Sequence, residues 1–129
     1  MGNSDVIREL IRRWNSGDLE GALALYTDDA ELRTGSHWPE QTTYHGRDAI
    51  HASSEEWASM WEGLEIVIDT LAEHGDRVMA TGAWVMRGAA SGVYGEMPSF
   101  IVFTLRDGKI AVLEWFADHD SAVAAARGG

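Results

Sequence analysis

The apolar positions of this chain change period along its length. Val6, Ile7, Leu10, Ile11 and Trp14 recur at helical spacing behind Asn3-Ser4-Asp5, which supplies an N-cap. That helix should end at Asn15-Ser16-Gly17. Asp18 then caps a short second helix through Leu19, Ala22, Leu23 and Tyr26, which Asp28-Asp29 breaks. Ala30 to Thr34 predicts a short strand, and Gly35 to Thr43, with Pro39, a polar loop. Asp48 begins a third helix to about Trp61, carrying Ile50, Trp57 and Trp61 at compatible spacing. From Leu64 the period becomes two: Leu64, Ile66, Ile68 and Thr70 alternate with Glu65, Val67, Asp69 and Leu71. His74-Gly75-Asp76 turns the chain into a second long strand, Arg77 to Arg87, and a Gly-rich connection runs from Ala89 to Gly95.

The stretch Glu96 to Asp118 organises the rest. Two runs rich in β-branched and aromatic residues flank Asp107-Gly108, a strong hairpin signal. Neither run alternates cleanly. Phe100 to Phe103 are all apolar, and Ile110 to Ala117 are apolar except for Glu114. Strands apolar on both faces must be covered on both faces. The hairpin is therefore expected mid-sheet, one face lining a pocket and the other meeting a second subunit. Glu114, among Ile110, Val112 and Phe116, needs either a raised pKa or a fixed partner such as an Arg across the sheet. Asp118 to Arg127 reads as an Ala-rich closing helix. Three helices followed by four long strands predict an α+β fold, with helices segregated to one face of an antiparallel sheet. The 129 residues are expected to form one domain, 1–129.

Charge narrows the partners. The net charge of −11 leaves no basic surface for nucleic acid or an anionic membrane, so neither is expected. No apolar run approaches the roughly 18 residues of a membrane span. The chain has no cysteine, hence no disulfide, thiol nucleophile or thiolate metal site, and a cytoplasmic location is expected. Six Trp in so short a chain point to an aromatic-lined cavity or an interface.

Three segments carry a family resemblance: Asp18 to Leu32, Tyr44-His45-Gly46-Arg47-Asp48-Ala49-Ile50, and Val102 to Ile110. In this order they resemble the SnoaL-like branch of the nuclear transport factor 2-like superfamily. The resemblance implies a cone, in which three helices wrap the concave face of a strongly curved mixed or antiparallel sheet around a deep apolar pocket. It also implies frequent homodimers through the convex sheet face, and no cofactor. Known members include ketosteroid isomerases, polyketide cyclases, epoxide hydrolases, dehydratases and binding proteins, so the shared fold does not transfer an activity.

The family's best-defined chemistry is missing here. The resemblance sets Thr34 where steroid isomerases hold their carboxylate base, and Leu10 and Ile101 where they hold the oxyanion-binding Tyr and Asp. The epoxide-hydrolase relay needs two Asp, and beside Arg87 and Asp118 the strand face Met79, Thr81, Ala83, Val85 offers no second one. At the end of the last strand, Trp115 with Asp118 and His119 resembles the cyclases' acid/base group, one residue out of step. Asp118 and His119 are either an acid/base couple or a helix cap and its first-turn neighbour. His37, in the loop after the first strand, has the pKa range for proton transfer, with Trp38 beside it as a cover; the bland alternative is an exposed loop. Tyr26 stands where isomerases hold a pocket hydrogen-bond donor, or is simply a core Tyr. Ser53-Ser54 falls where the family carries two pocket aromatics, which would enlarge the cavity and make it more polar, unless both face solvent. His51 and Glu55, at i and i+4, read as a solvated pair, and no metal is expected.

The expected lining is Trp14, Tyr26, Thr34, Trp38, Ser53 and Trp57, with Met79, Ser99, Ile101 and Trp115 from the sheet. The function these residues imply is cofactor-free proton transfer on a small to medium hydrophobic molecule: isomerisation, elimination, dehydration or aldol-type cyclisation. His37 would be base or acid, with Tyr26, Asp118 or His119 assisting. The alternative is a binding protein that holds a small hydrophobic or aromatic molecule in the same pocket without turnover.

Overall fold

The computed structural model describes residues 2–34, 43–59, 63–87, 94–116 and 118–128. Helix α1 (Asn3–Asn15) opens one turn earlier than its polar leader suggested, with Gly2 at the cap and Asp5 accepting from the Gly2 N–H. Helix α2 (Leu19–Leu23) is capped by Asp18, whose carboxylate accepts from Gly21 N at 2.9 Å. It stops short of Tyr26, which instead opens strand β1 (Tyr26–Arg33). β2 (Thr43–His45) leads through Gly46, at φ +85°, into helix α3 (Arg47–Ser59). Strands β3 (Gly63–His74), β4 (Arg77–Arg87), β5 (Tyr94–Arg106) and β6 (Lys109–Phe116) follow, then helix α4 (His119–Ala126). Asp107 and Gly108 both take positive φ, 55° and 78°, as a two-residue hairpin turn requires.

The six strands form one mixed sheet in the order β2-β1-β6-β5-β4-β3, so the β5–β6 hairpin is central as expected. All neighbours are antiparallel except β1 and β6, which run parallel. The class is α+β and the sheet is curved into a cone. Its curvature has a local cause. The β3–β4 ladder slips at Asp69, between the Ile68↔Gly82 and Thr70↔Thr81 pairs, and a bulge of this kind bends the strand that carries it. At that slip β3 lies so close to Gly82 that a Cβ there would sit 1.9 Å from the Val67 carbonyl oxygen. Only glycine fits.

Helices α1, α2 and α3 cover the concave face, where Ile7, Ile50, Phe103 and Ile110 are fully buried. The expectation that all helices share that face is overturned by α4. Its Ala122 and Ala126 pack against Met79 and Val102, with Phe100 and Phe116 alongside, on the opposite side of the sheet. Arg77 donates to the Ala125 carbonyl and fastens the helix there. The apolar outer faces of β5 and β6 are thus covered in part by the chain's own last helix. Glu114 shares its outward face with Val112 and pairs with Arg33 of β1 at 3.8 Å, as its strand neighbour across the sheet. Ile110 does not share that face: a slip between Thr104/Val112 and Leu105/Ile110 turns it into the core.

The outer edge of β3 is protected by a side chain. The Asn15 amide donates to the Ile66 carbonyl at 2.8 Å and accepts from the Ile66 N–H at 2.9 Å, filling the place of a neighbouring strand. It also ties the last turn of α1 to the sheet. Asn15→Ala leaves both backbone groups to water or to nothing; it is expected to lower the unfolding free energy by about 1–3 kcal/mol in urea titrations. A loss below a few tenths of a kcal/mol would show that the tie is dispensable.

Candidate functional site

Between α1, α3 and the concave sheet lies a cavity of about 370 Å³. Each wall follows from alternation or helical period. Leu10, Ile11 and Trp14 come from one face of α1, and Ser53, Ser54 and Trp57 from one face of α3. Ile66, Trp84, Ile101, Phe103, Leu113 and Trp115 are the inward-pointing residues of β3 to β6. Tyr26, Leu32, Thr34 and Tyr44 close the β1–β2 side.

Trp84 is the hub of this wall. Its ring centroid lies 5.2 Å from Trp14 at 70°, 6.1 Å from Trp57 at 82°, and 5.4 Å from Trp115 at 30°. Edge-to-face and offset-stacked contacts are the arrangements indole quadrupoles favour. Trp84 is only 4% exposed, and its Nε1 is buried without a hydrogen-bond partner among the described residues. Tyr26 supplies the buried phenol. Arg47 holds the Tyr26 carbonyl through Nε at 3.1 Å and Nη2 at 2.5 Å, while its Nη1 pairs with Asp28 at 2.9 Å. Burial alone pushes the Tyr26 phenol well above its ordinary pKa, so it stays a neutral donor across the physiological range. Among the described lining residues, Glu56 is the one carboxylate, and it is exposed at the mouth. No group of three or more potential metal ligands forms among the described residues.

With this geometry in place, comparison with known proteins is decisive for the family. Residues 7–113 match the SnoaL-like domain. The chain belongs to the SnoaL-like domain family. No curated protein matches it. Among solved structures, it is similar to an NTF2-like protein of unknown function from Burkholderia pseudomallei K96243. That likeness has 19% identity, a TM-score of 0.80 and 100% of both chains covered. It is also similar to TerC, co-crystallised with polyporic acid, at 21% identity and TM-score 0.78 over 98% of each chain. A third is a protein of ketosteroid isomerase-like fold from Catenulispora acidiphila DSM 44928, in complex with trimethylamine. There the identity is 16%, the TM-score 0.77, and the cover 95% of this chain and 92% of the other.

Of the expected site residues in this SnoaL-like cone, Trp14, Tyr26, Thr34 and Trp57 border the cavity, as do Ser53, Ile101 and Trp115. Ser54 reaches it beside Ser53, so both hydroxyls lie where the resemblance implied aromatic rings. Leu10, Thr34 and Ile101, which the resemblance sets at the isomerase positions, all border the cavity and none can ionise there. His37 and Trp38 lie outside the described residues.

Four expectations are corrected. Met79 points to the opposite side of the sheet, against α4, because Val78, Ala80, Trp84 and Met86 take the inward positions of β4. Ser99 is inward and buried opposite Gly82, but it does not border the cavity, and its Oγ has no hydrogen-bond partner among the described residues. Asp118 caps α4, accepting from Ser121 N at 2.7 Å and Ser121 Oγ at 3.0 Å; the Ser121 backbone N–H above all holds its carboxyl below the usual range. His119 is exposed, its ring edge-on to Phe100 on the outer face and 3.8 Å from Asp120. The Asp118–His119 pair is therefore a helix start and no part of the cavity. His51 and Glu55 pair at 2.9 Å on α3, as expected. Sequence reasoning missed Trp84, Tyr44 and Glu56 as wall residues, along with the apolar Ile11, Leu32, Ile66, Phe103 and Leu113; the ring at Trp84 was itself the signal that its side of β4 faces inward.

The buried phenol sets a pH dependence. A tyrosine whose folded pKa is raised favours the fold fully below the unfolded value near 10, and that advantage is lost as pH climbs above it. Urea midpoints measured from pH 8 to 11 should fall more steeply for the parent than for Tyr26→Phe. Parallel curves would mean that the phenol is free to ionise in the fold.

Proposed function

We propose that this cone binds a small to medium hydrophobic or aromatic molecule, and that binding is the basis of its function. The observation that carries this reading is the wall of four indoles around a cavity of about 370 Å³, closed over a floor of Ile, Leu and Phe. Ligand pockets of this size are mostly apolar with a few placed polar groups, here the hydroxyls of Tyr26, Thr34, Ser53 and Ser54. Two neighbours of the same fold were crystallised with small molecules, one with polyporic acid and one with trimethylamine, which supports the reading. Titrating intrinsic tryptophan fluorescence with 2-naphthol should give saturable quenching that Trp115→Leu weakens. A flat titration in the parent would end the proposal.

Tyr26 favours a second reading, cofactor-free proton transfer of the isomerase or lyase kind. A neutral phenol inside an apolar wall can donate to an oxygen that gathers charge as an enolate forms. His37 is the proposed base. It follows Thr34, which borders the cavity, by three residues, a reach of at most about 11 Å between their Cα atoms. The test is exchange of the α-hydrogens of 2-tetralone for solvent deuterium, followed by NMR. The parent should accelerate exchange, and His37→Ala should lose about 10²-fold or more. Equal rates in parent and variant would assign the base elsewhere.

A homodimer through the convex face is part of this proposal in reduced form, because α4 occupies the portion over Met79 and Val102. The remaining portion centres on Val67, which is 43% exposed. Light scattering is expected to give twice the chain's 14.2 kDa at micromolar concentration; a stable monomer would remove the second subunit. No helix among the described residues is long and apolar enough to cross a membrane. A cytoplasmic location is proposed, which suits a chain without cysteine.

A further inference from the structure

The electrostatics of the cavity point to a more specific ligand than "apolar". Its walls carry ring faces in crossed planes: Trp84 stands at 70° to Trp14 and at 82° to Trp57, with Trp115 stacked on it. An aromatic face is negative and an edge positive, so a cation enclosed among these indoles is attracted to whichever ring faces border it. Among the described lining residues no Arg, Lys or His occurs, while Glu56 adds a carboxylate at the mouth with no ion-pair partner among those residues. Several basic side chains around the cone are engaged elsewhere. Arg13 binds Glu9 and the Gly21 carbonyl, Arg47 binds Asp28 and the Tyr26 carbonyl, Arg33 binds Glu31 and Glu114, and His51 binds Glu55. The whole chain carries −11, which raises the local concentration of cations around it.

Building on the binding reading above, we propose that the cavity selects an organic cation, an N-methylated ammonium on an apolar or aromatic body. The methylated form follows from the polar inventory. A primary ammonium brings three donors and needs three acceptors when desolvated. The described wall offers only scattered hydroxyls, those of Tyr26, Thr34, Ser53 and Ser54. A trimethylammonium group has no donor to satisfy and spreads its charge over methyl hydrogens that pack on ring faces. An anion of the same size would meet negative ring faces and the Glu56 carboxylate, with no described cation to receive it.

The test compares benzyltrimethylammonium with neopentylbenzene, its uncharged isostere, by tryptophan fluorescence titration at low ionic strength. The cation should bind roughly three- to thirtyfold tighter, the range cation–π contacts supply. Glu56→Gln, at an exposed position that does not threaten folding, should weaken the cation more than the isostere. Trp115→Leu should shrink the ratio further. Equal affinities, or a preference for the isostere, would overturn the cation assignment and leave the binding reading standing. A cation preference unmoved by both substitutions would also overturn it, because the charge would then be read outside this cavity. Failure of both ligands to bind would sink the binding reading itself, and this inference with it.

Discussion

The structure depends on one close approach, that of β3 to β4 at Gly82. The Val67 carbonyl occupies the space a Cβ would need, and the ladder slips at Asp69 beside it. Without the slip, β3 and β4 would continue as a flatter pair and the concave face would be shallow. With it, Ile66 and Trp84 are brought in over Ile101 and Phe103, and helices α1 and α3 can close a space instead of lying flat on a sheet. The cavity is thus a product of backbone geometry first and of side chains second. Asn15 belongs to the same device. By bonding both backbone groups of Ile66 it holds α1 against the bent strand and leaves the edge with less to offer another chain.

Given that space, the choice of side chains decides what can enter. Four indoles and two phenols supply large surfaces that lose little freedom on packing. The hub ring at Trp84 touches the other three, so a substitution there would disturb the whole wall, whereas Trp115 touches only one of the hub's faces and Glu56 is exposed. The unpartnered Trp84 Nε1 and Ser99 Oγ are buried polar atoms near the bend, each carrying a desolvation cost of about 1–3 kcal/mol. The β4–β5 register sets Ser99 opposite Gly82 and Trp84 opposite Met97, so the fold tolerates that cost beside the close approach at Gly82.

How much of this could be read from the sequence depends on where alternation holds. The Asp107-Gly108 hairpin, the Asp18 cap and the turn at Gly75 rest on local rules, and each stands as the local rule requires. Phase was the weak point. Strict alternation assigns a face only until the first bulge, and the sheet slips at Asp69, after Thr104, and between Tyr26 and Glu31. Alternation puts Met79 inward whereas it is outward, and groups Ile110 with Val112 although the slip between them sets them on opposite faces. Tyr26 looked like the end of a helix because its spacing from Leu19, Ala22 and Leu23 suits one; pairing with Ile110 overrides that weak local preference. Helix α4 failed differently. Its small apolar residues gave no sign of which face of the sheet they would cover, and only tertiary packing on Met79 and Val102 decides it.

The described cavity wall holds few charges. Leu10, Thr34 and Ile101 occupy the three places where the resemblance would put an isomerase's Tyr, base and Asp, and all three border the cavity. With Leu, Thr and Ile there, the wall is cheaper to dehydrate than one of ionisable groups and lacks the forces that would orient a carbonyl. What remains polar is Tyr26, kept neutral by burial, and a few hydroxyls. Such a wall discriminates by shape and by quadrupole more than by hydrogen bonds. A neutral ligand gains its transfer free energy there and little else, whereas a charge-diffuse cation gains that and the attraction of the ring faces. The residues that make the cavity poor at the family's best-defined proton chemistry are the same ones that leave its aromatic electrostatics unopposed.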